Sequence, residues 1–308
     1  MRLYNLSGSK IREIAESKFK RERDLQKIVE ENLENIFNYK LISSEFTLHN
    51  LRIDTLAFNP ENNSFVIIEY KRDRSFSVID QGYAYLALLL NNKADFILEY
   101  NEKNKIQLKR SDIDWSQSVV MFIADSFTRH QLGAINFKDL PIELWEVKRF
   151  ENNILSFNEL KKEGSIESIK LITKNPAIEK VSAEIQTYSV EDHFKEGWDE
   201  SKEIYSELRE RIFKVFPDIE ETPVKSHISF KLENKTIFFI NIYKSGISIN
   251  FNRSKISDFD DPKNYLKYLK DSYKYYNQHI TYYFMKHGEN VDLNYAEFLL
   301  RQLYDRFQ

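Results

Sequence analysis

The 308-residue chain contains no cysteine, which excludes disulfides and thiolate metal sites outright. Glycine and proline are scarce, 7 and 6 residues, so long flexible tracts are not expected, and neither a phosphate-binding nor a dinucleotide-binding glycine pattern occurs. The six histidines show no HxxxH or HxH pairing, which argues against a histidine metal site. No apolar run approaches the roughly 20 residues that span a bilayer; the longest helical one, Tyr83 to Leu90, is far shorter. The N-terminal stretch has no signal-peptide core, so a cytoplasmic protein with no membrane partner is expected. The formal net charge of −3 leaves no global polycation. Binding to nucleic acid would need a local basic patch or a cation offsetting the acids.

What is present is the balance of a soluble globular protein, 42% hydrophobic and 30% charged, at a length suited to two domains. Residues from about Ser9 to Phe37 carry Ile11, Ile14, Phe19, Leu25, Val29, Leu33 and Ile36 at helical spacing. Glu22 falls on that apolar stripe and Glu30 near its edge. A helix-end acid paired with Arg21 or Arg23 is an ordinary explanation; a functional one needs other acids close by.

Strands are expected at 44–49, 51–58 and 64–71, the last two joined by the turn NPENN. A helical face follows through Ile79, Tyr83, Leu86 and Leu90. Further strands are expected at 95–100, 119–124, 142–149 and 154–157, with a short helix between Ser126 and Ile135. This α/β domain spans 1–160. A polar linker at 161–195 leads to an α+β accessory domain at 196–308, with a helix at 199–216, a meander over 226–251, a strand at 279–284 and a closing helix at 293–307.

The chemistry gathers between Leu51 and Gln81. Side chains alternate along a strand, so Glu69 and Lys71 share a face at the end of an apolar run, while Asp54 stands on the preceding strand in a half-buried segment. Two carboxylates converging from adjacent strands, helped by the Tyr70 carbonyl, make a hard oxygen site suited to Mg²⁺ or Mn²⁺. Lys71 beside it could orient an attacking water or stabilise a phosphorane-like transition state. The same three side chains would also serve as a buried ion-pair network without catalysis.

Asp54, then Glu69-Tyr70-Lys71 closing an apolar strand, then Gln81 on the next helix, resemble the PD-(D/E)XK, restriction-endonuclease-like nuclease superfamily. More narrowly, RIDTLAF, VIIEYKR and DQGYAYLALLL resemble the branch of archaeal-type single-strand-junction and mismatch endonucleases. Ile53 stands where a Pro usually precedes the first Asp. In that branch a helical Glu often joins the site, and ERDL at 22–25 favours Glu22 over Glu30. The resemblance covers about residues 20 to 160. It implies a mixed-sheet restriction-endonuclease-like core flanked by helices, and a metal-dependent endonuclease acting on branched, mismatched or single-stranded DNA. Catalytic roles fall to Asp54, Glu69, Lys71, Glu22 and Gln81, with Asp54, Glu69 and Tyr70 as ligands of Mg²⁺ or Mn²⁺. Arg72 and Arg74 are placed to grip flanking phosphates. Partners would be DNA, with RNA as the other candidate polymer, and a second copy of the chain in a homodimer. The alternative is a non-catalytic nucleic-acid-binding or protein-interaction module that keeps the nuclease fold.

Overall fold

The computed structural model describes residues 2–71, 77–104, 107–137, 140–161, 188–232, 235–273 and 278–307. The chain divides into two compact units, Met1–Asn59 with Asn63–Gln186, and Pro60–Asn62 with Thr187–Gln308. No helix among the described residues is long and apolar enough to cross a membrane.

The chain begins in strands rather than in the long helix expected from Ser9 onward. β1 (Leu3–Ser7) and β2 (Lys10–Ile14) form an antiparallel hairpin in register Ser7↔Lys10 to Leu3↔Ile14, closed by a two-residue Gly8-Ser9 turn. The short β3 (Glu16–Ser17) follows, and only then α1 (Glu22–Glu31) and α2 (Leu33–Phe37). Ile11 and Ile14 imitate a helical repeat, but Ile11 is 66% exposed, so the apparent stripe buries nothing there.

β4 (Lys40–Leu48), β5 (Leu51–Asn59) and β6 (Ser64–Lys71) make an antiparallel meander. α3 (Val78–Asn91) and α4 (Lys93–Asn104) then carry the chain to β7 (Val119–Ala124), parallel to β6. α5 (Arg129–Ala134) leads to β8 (Ile142–Phe150), parallel to β7, and β9 (Ile154–Glu159) returns against it. Among the described residues this is a seven-strand mixed sheet in the order β3-β8-β7-β6-β5-β4, with β9 on β8. The strand expected at 95–100 is the middle of α4. Its β-forming residues DFILEY put Phe96 and Tyr100 one turn apart on a buried face and leave Leu98 58% exposed, a helical pattern.

β6 is buried along Ser64–Tyr70 and separates two cores. Phe65 and Ile67 pack with Val78, Leu86 and Leu89 of α3 on one face; Val66, Ile68 and Tyr70 pack with Leu25 and Val29 of α1 on the other. α3 starts from Ser77, whose hydroxyl caps the Asp80 amide, and approaches the sheet closely at Gly82. A Cβ there would stand 2.4 Å from Ile142 Cδ1, so the absent side chain lets this helix lie on the strands.

The second unit holds α6 (Asp199–Val215), β10 (Glu220–Pro223), β11 (Ile228–Leu232), β12 (Lys235–Tyr243), β13 (Gly246–Asn252), β14 (Leu266–Tyr268), β15 (Ile280–Lys286) and α7 (Leu293–Tyr304). Its described strands form an antiparallel sheet ordered β10-β11-β12-β13-β15-β14. The strands β10 and β14, too short for periodicity to mark, are additions to the expected α+β pattern.

Candidate active site

Antiparallel pairing of β5 with β6 runs from Asn59↔Ser64 to Thr55↔Ile68, and the next step sets Asp54 beside Glu69. The Tyr70 backbone N–H donates to Asp54 Oδ2 at 3.1 Å, which fixes that carboxylate at the strand end. Glu69, only 5% exposed, accepts on Oε1 from Lys71 Nζ at 2.8 Å and from Gln81 Nε2 at 3.1 Å. Its other oxygen, Oε2, is buried with no hydrogen-bond partner among the described residues, a costly arrangement for an acid. The second Gln81 amide hydrogen reaches the Tyr85 hydroxyl at 3.3 Å, and that hydroxyl donates to the Arg52 carbonyl at 3.0 Å. Asp54, Glu69, Lys71 and Gln81 are thus brought together at the C-terminal end of β6.

Burial pushes the Asp54 carboxyl up to about 6, and the charge of Glu69 adds to the shift against the Tyr70 N–H and Lys71. A carboxyl raised in the fold binds a proton that the unfolded chain has already released. Its stabilising effect is complete below the unfolded value of 3.8 and is lost as pH rises through about 6. In metal-free protein, wild type should lose on the order of 2 kcal/mol more than Asp54→Asn between about pH 4 and pH 7. Urea midpoints at both pH values measure this, and equal losses would refute a raised Asp54.

Three more residues support the site, of which the sequence singled out only Glu30, as the lesser alternative to Glu22. Gln26 Nε2 donates to the Asp54 carbonyl at 2.9 Å and to Glu30 Oε1 at 3.1 Å, with Ser44 Oγ and Glu45 Oε1 each at 3.3 Å. Glu30 Oε1 also accepts from Thr55 Oγ1 at 2.5 Å, and Thr55 lies 3.2 Å from the Tyr70 hydroxyl. Glu45, between the pairs Ser44↔Thr55 and Phe46↔Ile53 and so across from Asp54, has φ of 56° inside a strand. Left-handed backbone at a non-glycine strand residue is strained, and here the strain sits opposite a candidate ligand. Gln26→Ala, which strips the Asp54 carbonyl of its donor, is expected to cost about 1–3 kcal/mol in a denaturant titration.

Glu22 is an exposed first-turn residue of α1, where an acid suits the helix dipole, and Glu30, two turns on, is bonded to the strands through Thr55. Within α1 the apolar stripe buries Leu25 and Val29, with Phe19 buried ahead of the helix. Arg72 and Arg74 lie outside the described residues. The basic run on α1 is a charged helix face, with Arg21 paired to Asp24 at 2.8 Å and Lys27 to Glu31 at 3.8 Å.

Comparison with known proteins relates most of the chain to another protein. An uncharacterized protein of Haemophilus influenzae is 43% identical over 273 residues, 88% of this chain and 90% of that one. The chain belongs to that protein's family. Residues 190–305 match a domain of unknown function, DUF5655. No solved structure matches. The family relationship exceeds the length of either unit and therefore reaches both, whereas the DUF5655 match includes none of Asp54, Glu69, Lys71 and Gln81.

The DUF5655 domain has a polar chain of its own. Ser201 Oγ lies 3.0 Å from His287 Nε2, and His287 Nδ1 lies 2.9 Å from Glu200 Oε2, the residue types of a hydrolytic triad. Ser201 is fully buried and its hydroxyl donates to the Tyr243 carbonyl at 2.7 Å, so its one proton is committed and no substrate reaches it. The trio ties α6 to the β12–β13 turn and to the end of β15. The DUF5655 domain thus supplies no competing nucleophile at this cluster.

Proposed function

We propose that the first unit is a PD-(D/E)XK-type nuclease that hydrolyses phosphodiester bonds in DNA with Mg²⁺ or Mn²⁺. The observation that carries this reading is the buried Glu69 Oε2, without a hydrogen-bond partner among the described residues, beside a half-buried Asp54 whose carboxyl is pushed up to about 6. Two acids held together with a spare oxygen fit a hard divalent cation. Among the described residues no group of three or more His, Asp or Glu is placed to hold a metal. Two carboxylates fall short of such a group, so on this reading Asp54 and Glu69 would hold the cation with the Tyr70 carbonyl, and water would complete the shell. When bound, the cation supplies charge neutralisation at the scissile phosphate and acidifies a water.

The chain's own groups do the rest. Lys71 Nζ, already 2.8 Å from Glu69, is placed to orient water or to meet charge on the phosphate. Gln81 fixes the Glu69 rotamer, and Tyr70 N–H fixes Asp54. The order of helix, strand–turn–strand, and helix in a mixed sheet agrees with the resemblance. The test is cleavage of branched, mismatched and single-stranded DNA with Mg²⁺ or Mn²⁺ by wild type and by Asp54→Ala, with folding checked by circular dichroism. Cleavage is expected from wild type alone; equal cleavage by a folded Asp54→Ala protein ends the proposal.

The tight Lys71–Glu69 pair, with side chains 20% and 6% exposed, supports a second reading, a binding module in which the pair is only structural. That reading expects salt-sensitive DNA binding that survives Asp54→Ala, with no cleavage by either protein.

A further inference from the structure

The β1–β2 hairpin is an unusual thing to leave in solvent. An isolated two-stranded ribbon is marginally stable in water, yet apart from the half-buried Leu3 and Ile14 at its base every paired residue of this one is exposed. Alternation sorts its side chains into two faces. Asn5, Ser7, Lys10 and Arg12 share one, and Tyr4, Leu6, Ile11 and Glu13 share the other. Beyond Leu3 and Ile14 at the base, the first carries only hydrogen-bonding groups, two of them cationic, and neither Lys10 nor Arg12 has an ion-pair partner among the described residues.

That face borders a concavity of about 510 Å³, lined also by Ile11, Glu13 and Ile14 of β2 and by Glu151 and Asn152 from the turn between β8 and β9. Glu151 is tied to the base, where its N–H donates to the Ala15 carbonyl at 2.9 Å. Lys10 lies at the opposite end, beside the Gly8-Ser9 turn, roughly four residues or 13 Å up the ribbon. Among the described residues Lys10 is therefore the charged group nearest the tip, and the two acids of the lining, Glu13 and Glu151, stay toward the root.

We infer that the hairpin inserts its Asn5/Ser7/Lys10/Arg12 face into the major groove of B-form duplex DNA, as a second contact separate from the catalytic end of β6. The inference rests on the DNA reading above. A two-stranded ribbon fits the B-form major groove, about 12 Å wide, where Arg, Lys and Asn meet base edges and phosphates. The A-form groove of duplex RNA is too deep and narrow for it. This face has no aromatic ring, so it offers no platform for stacking unpaired bases.

The test uses the full chain and short labelled duplex DNA, duplex RNA and single-stranded DNA, with binding followed by fluorescence anisotropy in EDTA. Lys10→Gln/Arg12→Gln should weaken duplex-DNA binding by about tenfold or more and reduce the slope of log affinity against log salt by about 2. Leu6→Ser/Ile11→Ser, on the opposite face, should bind as wild type, and binding to the other two probes should change little in either variant. Unchanged duplex-DNA affinity in the Lys10/Arg12 variant overturns the inference. So does an equal loss on duplex RNA, or a loss confined to the Leu6/Ile11 variant, which would mark the apolar face as a protein-docking surface. Mg²⁺-dependent cleavage is measured in parallel. Its absence in wild type refutes the nuclease and leaves the anisotropy to decide the hairpin.

Discussion

Asp54→Ala is expected to lower Mg²⁺-dependent DNA cleavage by at least about 10²–10³-fold, and Lys71→Met by a similar factor for a different reason. Asp54 belongs to the oxygen set, so its loss should weaken Mn²⁺ binding measured by calorimetry. Lys71 donates to Glu69 Oε1 and contributes no oxygen; removing its charge should leave Mn²⁺ affinity unchanged or raised while cleavage collapses. Splitting affinity from rate in this way separates a ligand from a charge-stabilising group. The split also guards against a trivial cause. Lys71 and Glu69 are a largely buried pair, and removing one member of such a pair destabilises by about 3–5 kcal/mol. Each variant's unfolding midpoint must therefore be measured and activity assayed well below it. Mn²⁺ affinity that falls equally in both variants would remove the distinction between the two roles.

The largest expected loss of stability lies in the second unit. Gly246 opens β13 with φ of 146°, and a Cβ built there would stand 2.0 Å from the Met285 carbonyl oxygen and 3.0 Å from Lys286 Cα. Both obstacles are main chain, held by the Gly246↔Lys286 pairing of β13 with β15. No rotamer change relieves such a clash, so the strands must part. Gly246→Ala should destabilise this unit by about 3–5 kcal/mol, the range of severe backbone defects. Thermal melts of the full chain are the check, and a melting temperature within about 2 °C of wild type would contradict so close an approach of β13 to β15. Gly82→Ala meets only the flexible end of Ile142 and should cost much less.

The site was legible where chemistry broke a regular pattern. β6 reads as an uninterrupted apolar strand, so Glu69 and Lys71 at its end stand out, and the change of period after it places Gln81 on a helix. Asp54 was visible for the same reason on β5. Gln26 and Glu45 were not, and Glu30 stood only as the lesser alternative to Glu22, because a polar residue on an amphipathic helix or an edge strand looks like any solvated one. Their part depends on how β4 registers with β5 and on a left-handed φ at Glu45, neither of which the residue types reveal. The N-terminal hairpin was concealed by Ile11 and Ile14, three residues apart as on a helix. α4 was concealed by residues that favour strands, whose burial at Phe96 and Tyr100 is set by packing under the sheet.

Glu69 and Asp54 are gripped from opposite sides of one sheet: α3 holds the first through Gln81, and α1 holds the second through Gln26 and its own carbonyl. Among the described residues their separation is consequently set by strand pairing and by two independently packed helices. Such a frame cannot widen readily to suit a guest. Ions that differ in radius by a few tenths of an ångström, as Mg²⁺ and Ca²⁺ do, would find it selective by size even though they carry the same charge.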